Sequence, residues 1–188
     1  MIELLGVAGD EGSFSEQAGW QYAKKMKMQV SLVYLTDMEG VLAAVEAGQV
    51  ETGIFPVVNV RGGLVMMAFA AMGRHAFTPI DECWLEVNQC LLVLPGTKKE
   101  HITKIISHAQ GLAQCQDYLQ HYFPQAEQIA WQDTAKAAKE LAQGKFHAQS
   151  AVIAPARSAE LYGLDILAKD IQDMKPNLTG FVIVKGEA

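Results

Sequence analysis

Charge is scarce in this chain. Only 19% of its 188 residues are Asp, Glu, Lys or Arg, and 50% are hydrophobic. That balance excludes the charge-rich, apolar-poor composition of a disordered segment and predicts a packed globule. Basic residues number 15 against 21 acidic ones, for a net charge of −6, and they come singly or in short pairs such as Lys24-Lys25 and Lys98-Lys99. Without a basic stripe to neutralise a phosphate backbone, nucleic acid is not an expected partner. Long apolar runs are also missing. The longest, Leu64 to Met72, is far too short to cross a bilayer, and no basic segment followed by an apolar core opens the chain. A cytoplasmic protein without membrane contact is expected. The three cysteines, Cys83, Cys90 and Cys115, form no CxxC pair and do not stand at zinc-ligand spacing from His75, His101, His108, His121 or His147. They read as buried reduced thiols, with no metal implied.

Linkers rich in proline or serine are absent, and no repeat recurs at a fixed period, so independent domains are not expected. What is present is alternation of strand and helix. Ile2 to Ala8 reads as a strand, followed by the turn Gly9-Asp10-Glu11-Gly12. A helix from Ser15 to Met26 is capped by Ser13 or Ser15, with Glu16 at its positive end and Lys24 and Lys25 at its negative end. After a strand at Val30 to Leu35, Thr36-Asp37-Met38-Glu39 reads as a capping box opening a helix that Gly48 closes. A strand at Thr52 to Val57 and the pair Gly62-Gly63 lead into an apolar helix whose Met67 and Met72 read as core filler. Further strands are expected at Ile80 to Val87, Cys90 to Leu94, Ile102 to Ile106, Ile129 to Trp131, Ala151 to Ala154 and Phe181 to Val184. Helices are expected at Gln110 to Tyr122, Thr134 to Gln143 and Ala156 to Tyr162. This pattern predicts an α/β fold with mostly parallel sheets and ligands at the carboxyl ends of strands.

Four constellations could carry chemistry. Gly6, Gly9 and Gly12 lie between a strand and a helix, but the spacing is not that of a dinucleotide loop. It suits a carboxylate cradle and an ordinary tight turn equally well. Ser107-His108-Ala109-Gln110 stands where a strand meets a helix. Gln110 and Gln114, four residues apart, share a face of that helix, and Ser107 can present its hydroxyl at the helix start. The bland alternative is an N-cap before a solvated face, since no acidic partner completes a Ser/His/Asp triad. Asn177-Leu178-Thr179-Gly180-Phe181 enters the last strand, where Thr179 is either a donor or an ordinary strand-start threonine. Pro56 to Gly63 ends another strand with Asn59 and Arg61. An arginine there can fork a carboxylate or simply lie in solvent.

Taken in order, these segments resemble prephenate dehydratase. GDEGSFS is similar to the family's GPxGS(Y/F)S opening, Val45 to Gly48 to its VExG, and Pro56 to Gly63 to PIENSxxG. Ser107 to Gln110, followed by Gln114-Cys115, is similar to SHPQ with its later QC. Leu161 to Leu164 matches LYGL, and Asn177 to Phe181 matches NxTRF. The resemblance runs from about residue 2 to residue 184 and implies a two-lobed arrangement of the type II periplasmic-binding-protein kind, with a cleft between the lobes. Lobe one is expected at about 1–77 plus 166–188 and lobe two at about 78–165, with the crossing near Gly73 to Pro79. Neither an ACT domain nor a chorismate mutase segment is expected.

The activity implied is conversion of prephenate to phenylpyruvate with loss of water and carbon dioxide, as in L-phenylalanine biosynthesis. No cofactor is implied, the partner is a small carboxylate substrate, and a homo-oligomer is expected. The resemblance casts Thr179, Ser107, Gln114 and Asn59 as catalytic residues, and Gly12, Ser13, Arg61, His108 and Phe181 as substrate-binding ones. Departures from the family pattern are Gly180 for the arginine of TRF, Val58 for the glutamate of PIEN, and Val60 for the next Ser/Thr. Asp10 and Ala109 replace prolines, and Gln89 replaces a histidine. Such losses would also suit a catalytically impaired homologue that binds an aromatic or carboxylate ligand, or a decarboxylase of a related ring diacid.

Overall fold

The central strands of this protein are continuous buried runs, such as Cys90–Val93 and Ser150–Ala154, and the helices bring small or aliphatic residues to meet them. A computed structural model describes residues 2–187. The chain divides into two units. The first holds the chain up to Asp10, Phe14–Glu86 and the chain from Leu178 onward, and the second holds Glu11–Ser13 and Val87–Asn177. In the first unit lie β1 (Glu3–Ala8), α1 (Phe14–Met26), β2 (Val30–Leu35), α2 (Met38–Glu46), β3 (Thr52–Asn59), β4 (Gly63–Leu64), α3 (Met66–Met72) and β5 (Thr78–Glu86). In the second lie β6 (Cys90–Val93), β7 (Lys104–His108), α4 (Ala109–Gln114), α5 (Gln116–Tyr122), β8 (Glu127–Trp131), α6 (Thr134–Ala142), β9 (Ser150–Ala154), α7 (Ala156–Tyr162) and β10 (Asp165–Ala168). The last strand, β11 (Leu178–Lys185), returns to the first unit.

Each unit is a sheet with helices on both faces. The first sheet has the order β2-β1-β3-β11-β5, with β4 paired to β3. On one face Leu5, Val7, Ile54, Phe181 and Ile183 pack with Ala18 and Tyr22 of α1. On the other, Phe55 and Val184 pack with Val41, Leu42 and Val45 of α2 and with Ala68 and Ala71 of α3. The second sheet, β10-β6-β9-β7-β8, repeats the plan. Leu91, Val93, Ile105 and Ile153 meet Leu112 and Leu119 of the α4–α5 segment. Cys90, Leu92, Ile106 and Val152 meet Ala137, Ala138 and Leu141 of α6. Cys83, Cys90 and Cys115 are buried free thiols, as their scarcity and spacing suggested, and burial pushes the Cys83 thiol up to about 11.

Several expectations are corrected. The sheets are mixed rather than mostly parallel: β2-β1-β3 and β9-β7-β8 are parallel, while β11, β5, β4, β6 and β10 join antiparallel. Parallel pairing needs a crossover, which the helices of the βαβ stretches supply. β11 instead returns from the second unit and runs opposite to both its neighbours. The chain does not cross between units at Gly73 to Pro79. It crosses at Glu86/Val87 and Asn177/Leu178, because β5 pairs with β11 from Thr78↔Lys185 to Glu86↔Leu178. Residues 166–177 belong to the second unit, where Ile166 of β10 pairs with Leu92 of β6.

The helix expected over Gln110 to Tyr122 is broken at Cys115, whose φ of −120° leaves the helical region. The second piece is capped from a distance, by Asp173 Oδ1 accepting from the Asp117 and Tyr118 amides. Met72 packs on the core, but Met66 and Met67 are 68% and 69% exposed and are not core filler.

The capping box is also replaced. Asp37, not Thr36, caps α2 by accepting from the Gly40 amide at 2.9 Å. Glu39 turns instead to a clasp that ties α2 to the chain after α3. His75 Nε2 lies 2.8 Å from Glu39 Oε1 and His75 Nδ1 lies 2.6 Å from Glu46 Oε2, with Arg74 also on Glu39. Glu46 first and Glu39 second raise the pKa of His75 through these bonds, since each favours the imidazolium. Arg74 and then His75 hold Glu39 at about 2, and His75 and the Ala76 amide lower Glu46.

The contribution of His75 is complete below the unfolded histidine pKa of about 6.5 and is lost as pH rises through the higher folded value. That of the two carboxylates is complete above the ordinary carboxylate range and is lost as pH falls through their lowered values. The difference in Tm between wild type and His75→Ala is therefore expected to be largest near about pH 5 to 6 and to shrink by about pH 9. Thermal unfolding of both proteins across that range checks it, and a difference independent of pH would refute the clasp.

Candidate active site

A backbone amide can only donate and a backbone carbonyl can only accept, and that asymmetry orients the polar side chains where β3 ends and β11 begins. Asn59, the last residue of β3, is 1% exposed and pairs across the strands with Thr179. Its Oδ1 accepts from the Arg61 and Gly62 amides at 3.0 and 2.8 Å, so its Nδ2 must face the other way. There Nδ2 donates to the Leu178 carbonyl at 3.1 Å and to Thr179 Oγ1 at 2.9 Å. With a lone pair of Oγ1 taken by that N–H, the Thr179 hydroxyl proton meets no acceptor among the described residues and is available to donate. Arg61 joins this arrangement through its main chain, and its side chain is exposed on the turn after β3.

The other expected residues belong to the second unit. Gln114, at the end of α4, is 4% exposed, and its Oε1 accepts from Gln89 Nε2 and from Asn177 Nδ2, both at 3.0 Å. Gln110 is not in this cluster; its backbone amide donates to His108 Nδ1 at 3.3 Å. His108 is exposed and caps α4 in this way. Gly12 has φ +87°, a conformation that suits glycine, and its carbonyl accepts from Ser158 Oγ while the Glu11 carbonyl accepts from Tyr162 Oη. These two bonds moor the 11–13 segment, with the buried Ser13, to α7.

Ser107 is wholly buried and donates to the Ile153 carbonyl of β9 at 2.7 Å, so its hydroxyl ties two strands together while lying against Gly111 in the first turn of α4. Phe181 is 2% exposed and packs against α1 in the core. Gln89 and Asn177 were missed as site residues, because the cluster joins positions distant in sequence, and motif position alone gave a hint of them. No cluster of three or more His, Cys, Asp or Glu side chains suited to a metal occurs among the described residues. No described helix is long and apolar enough to cross a membrane.

The family model for prephenate dehydratase matches residues 5–188. The chain belongs to the prephenate dehydratase family. It is 37% identical over 183 residues to arogenate dehydratase/prephenate dehydratase 6, chloroplastic, of Arabidopsis thaliana, a match covering 97% of this chain and 43% of the plant protein. The chain spans less than half the length of the curated relatives it matches. Among solved structures it is similar to the prephenate dehydratase of Arthrobacter aurescens in complex with L-Phe, with 25% identity and a TM-score of 0.86 over 98% of this chain and 60% of the other. At the level of fold alone it is also similar to a nutrient-binding protein of Burkholderia cenocepacia bound to methionine, at 12% identity and a TM-score of 0.54 over 98% of this chain and 85% of the other. The periplasmic-binding-protein kind of α/β fold expected from sequence is thus the fold found.

Membership in the prephenate dehydratase family gives the departures at Val58 and Gly180 a definite geometry. Successive strand residues face opposite sides, and Gly180 is directly paired with Val58 on β3 and Trp84 on β5. A Cβ at position 180 would stand 2.9 Å from Val58 Cγ1 and 3.0 Å from the Trp84 ring. Thr179 and Asn59 are therefore on one face, and Val58, Gly180 and Trp84 on the other. The family's glutamate and arginine, placed in this register, would be opposite charges directly across from each other. Here both are absent together, and the Trp84 indole covers the gap. Gly180→Arg is expected to destabilise the protein by roughly 1–3 kcal/mol, as overpacking does, and Trp84→Ala in the same chain to recover most of the loss. Denaturant unfolding measures both, and a Gly180→Arg protein as stable as wild type would sink this account.

Proposed function

We propose that this chain is a dehydratase that converts prephenate to phenylpyruvate, water and carbon dioxide in aromatic amino acid biosynthesis. The observation that carries the reading is the Asn59–Thr179 pair, which leaves a nearly buried hydroxyl with its proton free to donate. In the reaction the ring carboxylate departs as carbon dioxide, and the electron pair of its bond enters the ring as the ring carbon–oxygen bond breaks. Thr179 donates to the departing oxygen, which leaves as water after taking up one proton, and solvent restores the proton at Thr179. Aromatisation drives the step, so the protein needs to bind, orient and donate. Arg61, on the turn after β3 in the same unit as Thr179, can hold a carboxylate. Val58 and Gly180 pair on the face of the sheet opposite to Thr179. A cytoplasmic location and a homo-oligomeric state are part of the same proposal, the second by analogy with the family.

Arogenate is a second substrate to consider, because the Arabidopsis relative bears both names. The two substrates differ in a keto or amino group on the side chain, away from the ring chemistry that Thr179 serves.

Incubating the purified protein with prephenate and, separately, with arogenate, and following the aromatic product against the spontaneous rate, tests the reading. Thr179→Ala is expected to lower kcat roughly 10²-fold or more, since it removes the donor. Asn59→Asp is expected to follow it, because the carboxylate would draw the hydroxyl proton to itself. Arg61→Ala is expected to raise KM roughly 10-fold with kcat little changed, as loss of a carboxylate contact would. Wild-type turnover no faster than the spontaneous rate with either substrate would end the proposal.

A further inference from the structure

The amide cluster of the second unit has an internal logic that fixes which end of each side chain points where. Asn177, 1% exposed, places its Nδ2 3.2 Å from the Val87 carbonyl. A carbonyl can only accept, so the nitrogen end of Asn177 is the one turned inward. That same nitrogen lies 3.0 Å from Gln114, which must then offer its oxygen. An oxygen already facing one donor can receive another, so Gln89, 3% exposed, turns its own Nε2 to Gln114 Oε1. The sequence of choices runs from one backbone carbonyl to three side-chain amides without ambiguity.

Two groups are left over at its end. Gln114 Nε2 has no hydrogen-bond partner among the described residues, although the oxygen beside it has two. Gln89 Oε1 is buried and has no partner among the described residues either. An unpaired buried acceptor costs stability, and natural proteins keep such a defect chiefly where it serves a site. The backbone of Gln89 is held as firmly as its side chain: its amide donates to Gln172 Oε1 at 2.9 Å, its carbonyl accepts from Ile171, and Gln172 Nε2 in turn donates to Asn88 Oδ1.

We propose that Gln89 and Asn177 are positioning residues that lock the Gln114 amide with its Nε2 turned to the substrate, as a donor to a carboxylate oxygen of the ring diacid. This rests on the dehydratase reading for the identity of the ligand, but the lock itself does not. An amide free to rotate would present oxygen to the carboxylate about as readily as nitrogen. Fixing the donor end removes the repulsive half of that ensemble, so the effect falls on substrate binding.

Steady-state kinetics with prephenate, thermal unfolding, and side-chain amide NMR test the proposal together. Gln89→Leu is expected to raise KM roughly 10-fold with kcat changed by less than about threefold, while Tm stays level or rises because the unpaired Oε1 is gone. Gln89→His, which keeps a ring N–H donor, is expected to recover most of the KM. Asn177→Asp, which offers Gln114 only acceptors, is expected to raise KM further than Gln89→Leu does. A packing role would lower Tm and leave KM alone; that result, or a Gln89→His protein no better than Gln89→Leu, would overturn the proposal. The NMR arm does not depend on turnover. In the wild type the Asn177 Nδ2 protons are expected to be protected from exchange with water and the Gln114 Nε2 protons to exchange freely. The reverse pattern would overturn the lock even in an active enzyme, whereas the expected pattern in a protein without turnover would leave the lock standing and remove only the dehydratase reading.

Discussion

The fixed polarity of the backbone is the constraint on which the polar half of this protein depends. The amides of Arg61 and Gly62 cannot accept, so they hold the oxygen of Asn59, and its nitrogen is forced onto Thr179. The carbonyl of Val87 cannot donate, so it holds the nitrogen of Asn177, and Gln114 is set in turn. Each unit thereby converts an immovable main-chain group into an oriented side-chain donor one or two bonds away. Side chains that can rotate freely in water are given a single sense of direction once buried beside such a group.

Much of this was legible in the sequence because local signals carried it. Val30 to Leu35 and Ala156 to Tyr162 have the expected bounds, since their period, caps and flanking turns all agree. Thr179, Asn59 and Gln114 were found through motif order, and the geometry brings Asn59 and Thr179 into contact. What escaped was whatever depends on partners remote in sequence. The break at Cys115 needs Asp173 to cap the second piece, and β10 needs β6 beside it. Nothing near Ser107 in sequence reveals Ile153, 46 positions away, as the acceptor of its hydroxyl.

The period of two along a strand also changes how the family departures are weighed. By motif alone, Gly180 next to Thr179 reads as damage at the point of chemistry. By register it is the neighbour of Val58 and Trp84, and adjacency in sequence places it on the far side of the sheet from the threonine. The two changes at 58 and 180 are one exchange of a charged pair for apolar cover. Such an exchange is often neutral or stabilising when a pair is poorly solvated.

The strand that carries Thr179 follows every other described strand in chain order. β5 pairs with β11 and with no other strand of its sheet, so until Leu178–Lys185 leaves the ribosome the first unit has an unfilled slot between β3 and β5, with the backbone groups of both strands unpaired there. The second unit has all of its strands by Asn177. Although it begins later along most of its length, it can close first, and β11 then serves as the bolt that completes the sheet of the first unit. The threonine and the strand that fills the sheet of the first unit thus arrive in the same eight residues.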